Sequence, residues 1–199
     1  MSNKVTLREM NIEIIGGQIM SRVTAKAENG EQAVVTRKVI IPKGILSSGV
    51  VDVSVLPEEG LKVDVDEKRI TKVGDIVIKL SPPFDAAIID EASADCVVPS
   101  FCAIIKPTET IVADYLLAFL NSSYCKEQLK QQVAGSVMTV LSVGKVANVY
   151  IPLAERHKQE EIGHSYRKTQ HKLNIINQII ELEAKRNDVI FKEMVNDND

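Results

Sequence analysis

The chain contains no tryptophan, and aromatic residues make up only 4% of its 199 positions. That scarcity argues against a platform on which successive bases of a single strand stack. Cysteine is also sparse. Cys96, Cys102 and Cys125 form an odd set with no Cys-x-x-Cys spacing. A disulfide framework is therefore excluded, and the three thiols are expected to be small buried apolar groups. No stretch approaches the roughly 18 uninterrupted apolar residues that a membrane span requires. The opening Met1–Thr6 lacks the apolar core of a signal peptide. A soluble cytoplasmic protein is expected. Missing too are a G-x-S-x-G nucleophile elbow and a G-x-x-x-x-G-K-[ST] phosphate loop.

An excess of positive charge is absent as well. Lys and Arg number 24 against 27 Asp and Glu, a net charge of −3. Divided after Ala154, the chain has 16 basic and 18 acidic residues, then 8 and 9. Proteins that clamp phosphates without sequence preference usually carry a clear surplus of cations. Any contact with nucleic acid must therefore come from local placement of charge, or from a partner.

What the chain does have is a change of character near Pro152. Before it, short β-rich runs alternate with Gly and Pro. These runs are Ile12–Ile15, Gln18–Thr24, Ala33–Ile41, Val50–Leu56, Leu61–Val65, Asp75–Leu80, Ala86–Ile89 and Val97–Ile105. Their spacing predicts an antiparallel or mixed sheet without regular βαβ alternation, hence an α+β fold. Two helices interrupt the pattern. Ala113–Leu120 is apolar enough to pack on the sheet, while Ser122–Val133 starts on a capping serine and stops at Gly135-Ser136.

From Glu155 to about Val195 there is no proline, and Gly163 is the only glycine. The stretch predicts one helix, roughly 60 Å long at about 1.5 Å per residue. Steps of four and three pick out Ile162, Tyr166, Thr169, Leu173, Ile176, Ile180, Glu183, Asn187, Ile190 and Met194, of which seven of ten are apolar. Such a heptad seam suits a projecting coiled coil, with polar Asn187 favouring one register. The alternative is a helix folded back on its own sheet.

Two constellations invite a chemical reading. His157, His164 and His171 lie seven residues apart, which places neighbours about 10 Å apart along a helix. Zinc on one helix needs ligands a single turn apart, so a solvated face is the expected reading. Ser81-Pro82-Pro83-Phe84 after a strand looks like the catalytic tetrapeptide of DNA amino-methyltransferases, whose aromatic residue stacks on a flipped base. That chemistry also needs S-adenosylmethionine on a Gly-rich turn in a doubly wound sheet. Gly16-Gly17 opens no helical pattern, so the expected role of the tetrapeptide is a Pro-stiffened turn.

An ordered series of short motifs runs through the second half. It begins with Gly74–Ile78, Ile104–Pro107 and Tyr115–Ser122, then Gly135-Ser136 and Leu141-Ser142. Val149–Leu153 follows, and Glu155, Gln159 and Ile162 open the long helix. Together, over about Val73–Val195, they resemble the DNA specificity subunit of type I restriction–modification systems. The sequence departs from that pattern at Ala154, where a second proline is common, and at Pro99-Ser100, where Asn-Gln is common.

The resemblance implies a non-catalytic subunit with a target-recognition domain over 1–154 and a spacer helix over 155–199. Family members usually carry two recognition domains and two helices, while this chain has one of each. A homodimer through Ile162, Tyr166, Leu173, Ile176, Ile180, Asn187, Ile190 and Met194 would restore the two-fold arrangement. It would read a palindromic, two-part site in double-stranded DNA. The resemblance further implies methyltransferase and restriction subunits as partners. S-adenosylmethionine would sit on the methyltransferase, with no cofactor on this chain. Candidate DNA contacts are Arg22, Lys26, Arg37, Lys38, Lys43, Lys79 and Lys145, with Ser136 and Thr139 as weaker polar candidates. The competing readings are a methyltransferase-like enzyme built on the SPPF turn and a coiled-coil adaptor with no DNA role.

Overall fold

The computed structural model describes residues 3–134 and 140–196. The elements run β1 (Asn3–Thr6), β2 (Glu13–Gly16), β3 (Val35–Lys38), β4 (Glu58–Leu61), β5 (Ile76–Lys79), β6 (Ala86–Ile88) and β7 (Cys102–Lys106). They continue with α1 (Ala113–Asn121), α2 (Ser123–Val133), α3 (Val143–Ala147), β8 (Tyr150–Leu153) and α4 (Arg156–Asn196). The fold is α+β, with antiparallel strand ladders and a long C-terminal helix.

The central sheet has the order β2-β7-β5-β6 and is antiparallel throughout. Successive side chains on a strand point to opposite faces. Ile76, Ile78, Ala103 and Ile105 therefore face one way, into a core with Leu116, Leu117 and Leu120 of α1 and Leu129 of α2. Val77, Ala87, Cys102 and Ile104 face the other way, against Ile40, Ile45 and Leu56 from a loop-rich layer. Burial on both faces explains why these strands are continuously apolar rather than alternating. Beyond the loop layer, Val23, Val39, Leu61, Val65 and Val97 build a small third core under the β3–β4 ribbon. Strand β1 pairs with β8, placing Val5 opposite Ile151 just ahead of α4.

Several expected strands are shorter or absent. Met20–Arg22, within the expected run Gln18–Thr24, is a 3-10 turn. A second such turn, Val53–Val55, lies in the expected run Val50–Leu56 and is capped by the Asp52 carboxylate, which accepts from the Ser54 backbone N–H. The β-branched residues there suit extended backbone but find only isolated bridges, such as Gln18 to Pro99 and Ile45 to Val51. At Gly17 the chain crosses another segment so closely that a Cβ would lie 2.1 Å from the Pro99 carbonyl oxygen. Gly17 is the member of the glycine pair that serves this crossing. Of the two shorter expected helices, α2 begins as anticipated: Ser122 Oγ accepts from the Cys125 backbone N–H. Its expected stop at Gly135-Ser136 lies outside the described residues.

Helix α4 is 41 residues long, and its first turns pack along α1. Gln159, only 3% exposed, accepts from the Val112 backbone N–H through Oε1 and donates to the Ala154 carbonyl through Nε2, both at 2.9 Å. It thereby caps α1, whose own N-cap residue Val112 has no side-chain cap. One turn on, Gly163 meets α1 without a side chain. A Cβ there would lie 2.8 Å from Asp114 Cβ and 2.9 Å from the Tyr115 backbone nitrogen. Tyr166 then reaches Asn121, whose Nδ2 donates to the tyrosine oxygen at 2.9 Å. Asn121 also bonds both backbone groups of Ala86, which closes the outer edge of β6.

Gly163 yields a prediction of inverted sign. In an exposed helix interior, Gly→Ala stabilises by about 1 kcal/mol. Here Gly163→Ala is expected to destabilise by about 1–3 kcal/mol, because the new methyl group meets backbone that cannot rotate away. Urea denaturation of the two proteins measures the difference, and a stabilised variant would refute close packing at this point.

Candidate nucleic-acid interface

The basic residues singled out by the sequence do not form one cluster. Arg22, Lys26, Arg37 and Lys38 belong to the lobe around the third core, and Lys43 lies in the adjoining 3-10 turn Pro42–Gly44. Arg22, Lys38 and Lys43 are exposed and make no ion pair or side-chain hydrogen bond among the described residues. Lys38 borders an open groove of about 410 Å³ with Thr36, Arg37, Glu58 and Asp95. Arg37 is less available. Its Nε and one terminal nitrogen grip both oxygens of Asp64 at 3.1 Å. That hydrogen-bonded pair raises the guanidinium pKa and lowers that of the carboxyl. Lys26 contributes its backbone N–H to Glu31, which also takes the Lys62 ammonium at 2.7 Å.

Two candidates are corrected. Lys79 is not a presented cation: its side chain is 12% exposed and its Nζ lies 2.9 Å from Asp85. Lys126 reaches the other oxygen of the same carboxylate at 2.6 Å. Lys145 donates through Nζ to the Gln132 carbonyl at 2.6 Å, tying α3 to the end of α2. Ser136 and Thr139 lie outside the described residues.

The Lys79–Asp85–Lys126 triad is a structural brace. Burial pushes the Asp85 carboxyl up, but the hydrogen bonds from Lys126 and Lys79 outweigh it and hold the group below its ordinary value. It brackets the SPPF turn, where Phe84 is fully buried in the helix-side core at a left-handed φ of 58°. A ring enclosed by core side chains has no face to offer a flipped base. The sheet around it is antiparallel rather than doubly wound, so the methyltransferase-like reading loses both its aromatic residue and its scaffold. Burial raises the pKa of all three thiols, to about 12 for Cys102 and Cys125, and buried thiols held in the protonated form are weak nucleophiles.

One polar surface has no counterpart in the sequence reading. Gln128, Gln131, Gln132, Asn148, Thr6 and Tyr150 line a groove of about 510 Å³. Gln128 is committed to both backbone groups of Tyr150. The residues come from three separated stretches, and the strand and helix periods give no signal that they meet.

Helix α4 departs from a simple seam. Tyr166 is withdrawn from the expected interface, because it packs against the helix-side core and bonds Asn121. From Leu173 to Met194 the apolar side chains are exposed. Leu173, Ile176, Ile180, Ile190 and Met194 form the anticipated stripe, with Ile180 60% exposed and Asn187 within it. A second heptad stripe runs beside it through Ile175, Ile179, Leu182 and Val189, with Leu182 64% exposed. The apolar arc is thus wider than a strict two-position coiled-coil seam.

Among the described residues, no helix is long and apolar enough to cross a membrane. Comparison with known proteins places the fold. No protein-family model matches the sequence, and no curated protein matches it. Solved structures do match. One is a chain from work on complex assembly and conformational transition of the type I R-M system, at 18% identity and a TM-score of 0.61. The match covers 92% of this chain and 42% of that one. Another is the HsdS subunit from Thermoanaerobacter tengcongensis, at 15% identity and a TM-score of 0.59, covering 92% of this chain and 45% of that one. This chain spans less than half the length of either.

The brace makes a pH prediction. Asp85 has a lower pKa folded than unfolded, so its contribution is complete above the unfolded value of about 4 and is lost as pH falls through the folded value. Asp85→Asn is expected to cost about 3–5 kcal/mol at neutral pH, since two partly buried ammonium groups lose their counter-charge. The difference between variant and parent, followed by denaturation against pH, should shrink below about pH 4. A gap that stays constant into strong acid would exclude the brace.

Proposed function

We propose that the chain is a non-catalytic sequence-reading component of a type I restriction–modification system. In this reading the part before α4 recognises one half of a DNA site, and α4 joins two copies. The observation that carries the reading is the likeness of fold over 92% of the chain to a type I R-M system chain and to an HsdS subunit. In this chain the long helix keeps an apolar face in solvent along its outer part. Such a face is unusual on a monomer and suits a second helix.

Contacts to DNA divide into those that position and those that specify. Arg22, Lys38 and Lys43, exposed without ion-pair partners among the described residues, are suited to phosphate contacts. Thr36 and the groove beside it are suited to base edges. Because the whole chain is acidic, these few cations would be supplemented by a methyltransferase subunit, which would also hold S-adenosylmethionine. A restriction subunit would complete the assembly. Two copies related by a two-fold axis would require a palindromic site whose halves stand a fixed distance apart.

Selection from a random duplex pool, with the methyltransferase subunit present, tests the reading directly. Enrichment of a two-part palindrome is expected, and recovery of unselected sequence would overturn it in favour of an adaptor role. Replacing Arg22, Lys38 and Lys43 by Ala should flatten the dependence of log K on log salt by about 0.9 for each phosphate contact removed. The dimer has its own measurement. Burial of one isoleucine contributes about 1.5–3 kcal/mol, and each seam position occurs twice. Ile176→Glu should therefore raise the dimer dissociation constant roughly 100-fold or more in sedimentation equilibrium. A monomeric parent protein would remove the homodimer.

A further inference from the structure

Where α4 leaves the domain, one of its faces carries His164, Arg167, Lys168 and His171. The spacing of three, four and seven residues sets all four side by side. Opposite them lies the loop that turns at Gly49, a residue with φ of 81° where a Cβ would lie 3.1 Å from Leu117 and 3.3 Å from the Tyr166 hydroxyl. Ser48 and Val50 of this loop, together with the helix face, enclose a cleft of about 370 Å³. Its size falls within the range of small-molecule sites.

The lining is unlike any other concave surface described above. It contains two full cations, two imidazoles, and Gln170 and Asn174, with no carboxylate. The nearest acidic partner is Asp114, whose carboxylate meets Arg167 Nε at 3.4 Å from outside the cleft. A guanidinium has five N–H donors, so this contact leaves others to spend. Lys168, His164 and His171 form no ion pair among the described residues. On the loop side, Ser48 Oγ is buried and has no hydrogen-bond partner among the described residues. Buried hydroxyls are nearly always partnered, and this orphan belongs to a residue that lines the cationic cleft.

We propose that the cleft between the Ser48–Val50 loop and the His164–His171 face of α4 binds a phosphoryl anion, carried either by a free phosphorylated molecule or by a nucleic-acid backbone. The guanidinium, ammonium and imidazole groups on this lining are donors of the kind that phosphoryl oxygens accept from, and charge-assisted bonds from Arg and Lys are the strong kind. Val50 and the aliphatic stems of Arg167 and Lys168 wall the site and reduce competition from water. The inference stands apart from the DNA reading, since a free phosphate ester would satisfy it equally.

The chain has three histidines, which makes the test specific. His157 lies on the same helix but outside the cleft, beside Glu155 at 3.5 Å, and serves as an internal control. Imidazole resonances of the full chain are followed while inorganic pyrophosphate is added. His164 and His171 should move together and saturate with a midpoint of about 1 mM, while His157 stays still. Lys168→Gln should shift that midpoint upward roughly tenfold, as expected for loss of one charged hydrogen bond. A short DNA duplex is the second arm: movement of the same two resonances assigns the phosphate to a backbone, and their stillness assigns it to a free ligand. If pyrophosphate moves none of the resonances, or moves all three alike, there is no phosphoryl site in this cleft.

Discussion

The angle at which α4 leaves the domain depends on one close contact, the crossing of Gly163 over Asp114 and Tyr115 of α1. Around this crossing the polar groups are arranged so that no other seating is equivalent. Gln159 caps α1 and holds the Ala154 carbonyl. Tyr115 donates its hydroxyl to the Pro152 carbonyl, and Tyr166 closes on Asn121. A slip of one residue along α4 would strand a buried carboxamide and push a side chain into backbone. Both penalties are steep, because a buried polar group without a partner costs more than its bond contributes.

That seam also organises what lies below it. Asn121, held between α4 and the rim of the sheet, satisfies Ala86 and so protects the edge strand β6. Just ahead of that strand, Asp85 gathers two lysines from β5 and α2. Helix, edge strand and SPPF turn are therefore one braced unit, and the tetrapeptide that resembles catalytic machinery is part of the bracing. The loop-rich lobe beyond the sheet is built differently. Its small apolar core lies among short turns and is bordered by surface ion pairs such as Arg37–Asp64 and Lys62–Glu31. Such pairs contribute little and are screened by salt.

The legibility of these parts in the sequence follows from how local their causes are. Strands β5 and β6, helices α1 and α2 and the rod α4 could be read because apolar period, capping serine and absence of proline act within a few residues. The α+β class followed from the lack of βαβ alternation. The lobe over residues 17–71 could not be read in the same way. Its β-branched runs satisfy the local preference for extended backbone, but whether a run becomes a strand depends on a distant partner, and Val50–Leu56 finds none beyond Ile45. Lys79 appeared to be an ordinary surface cation because Asp85 and Lys126 come from other elements. Tyr166 fitted the heptad rhythm, yet the neighbouring surface of α1 claimed it first. Ser48, the cleft beside α4 and the carboxamide groove were invisible for the same reason: each forms only when separate segments meet.

The Gly163 crossing acts as a pivot for a lever. From there to the described end of α4 are 33 residues, or about 50 Å of rod. A tilt of only about 5° at the pivot would sweep the far tip by roughly 4 Å, more than the rise of about 3.4 Å between neighbouring base pairs. If two such rods mate as proposed, they would gauge spacing along a duplex only as finely as the pivot is stiff. The missing methyl group on one glycine would then set the tolerance of the instrument.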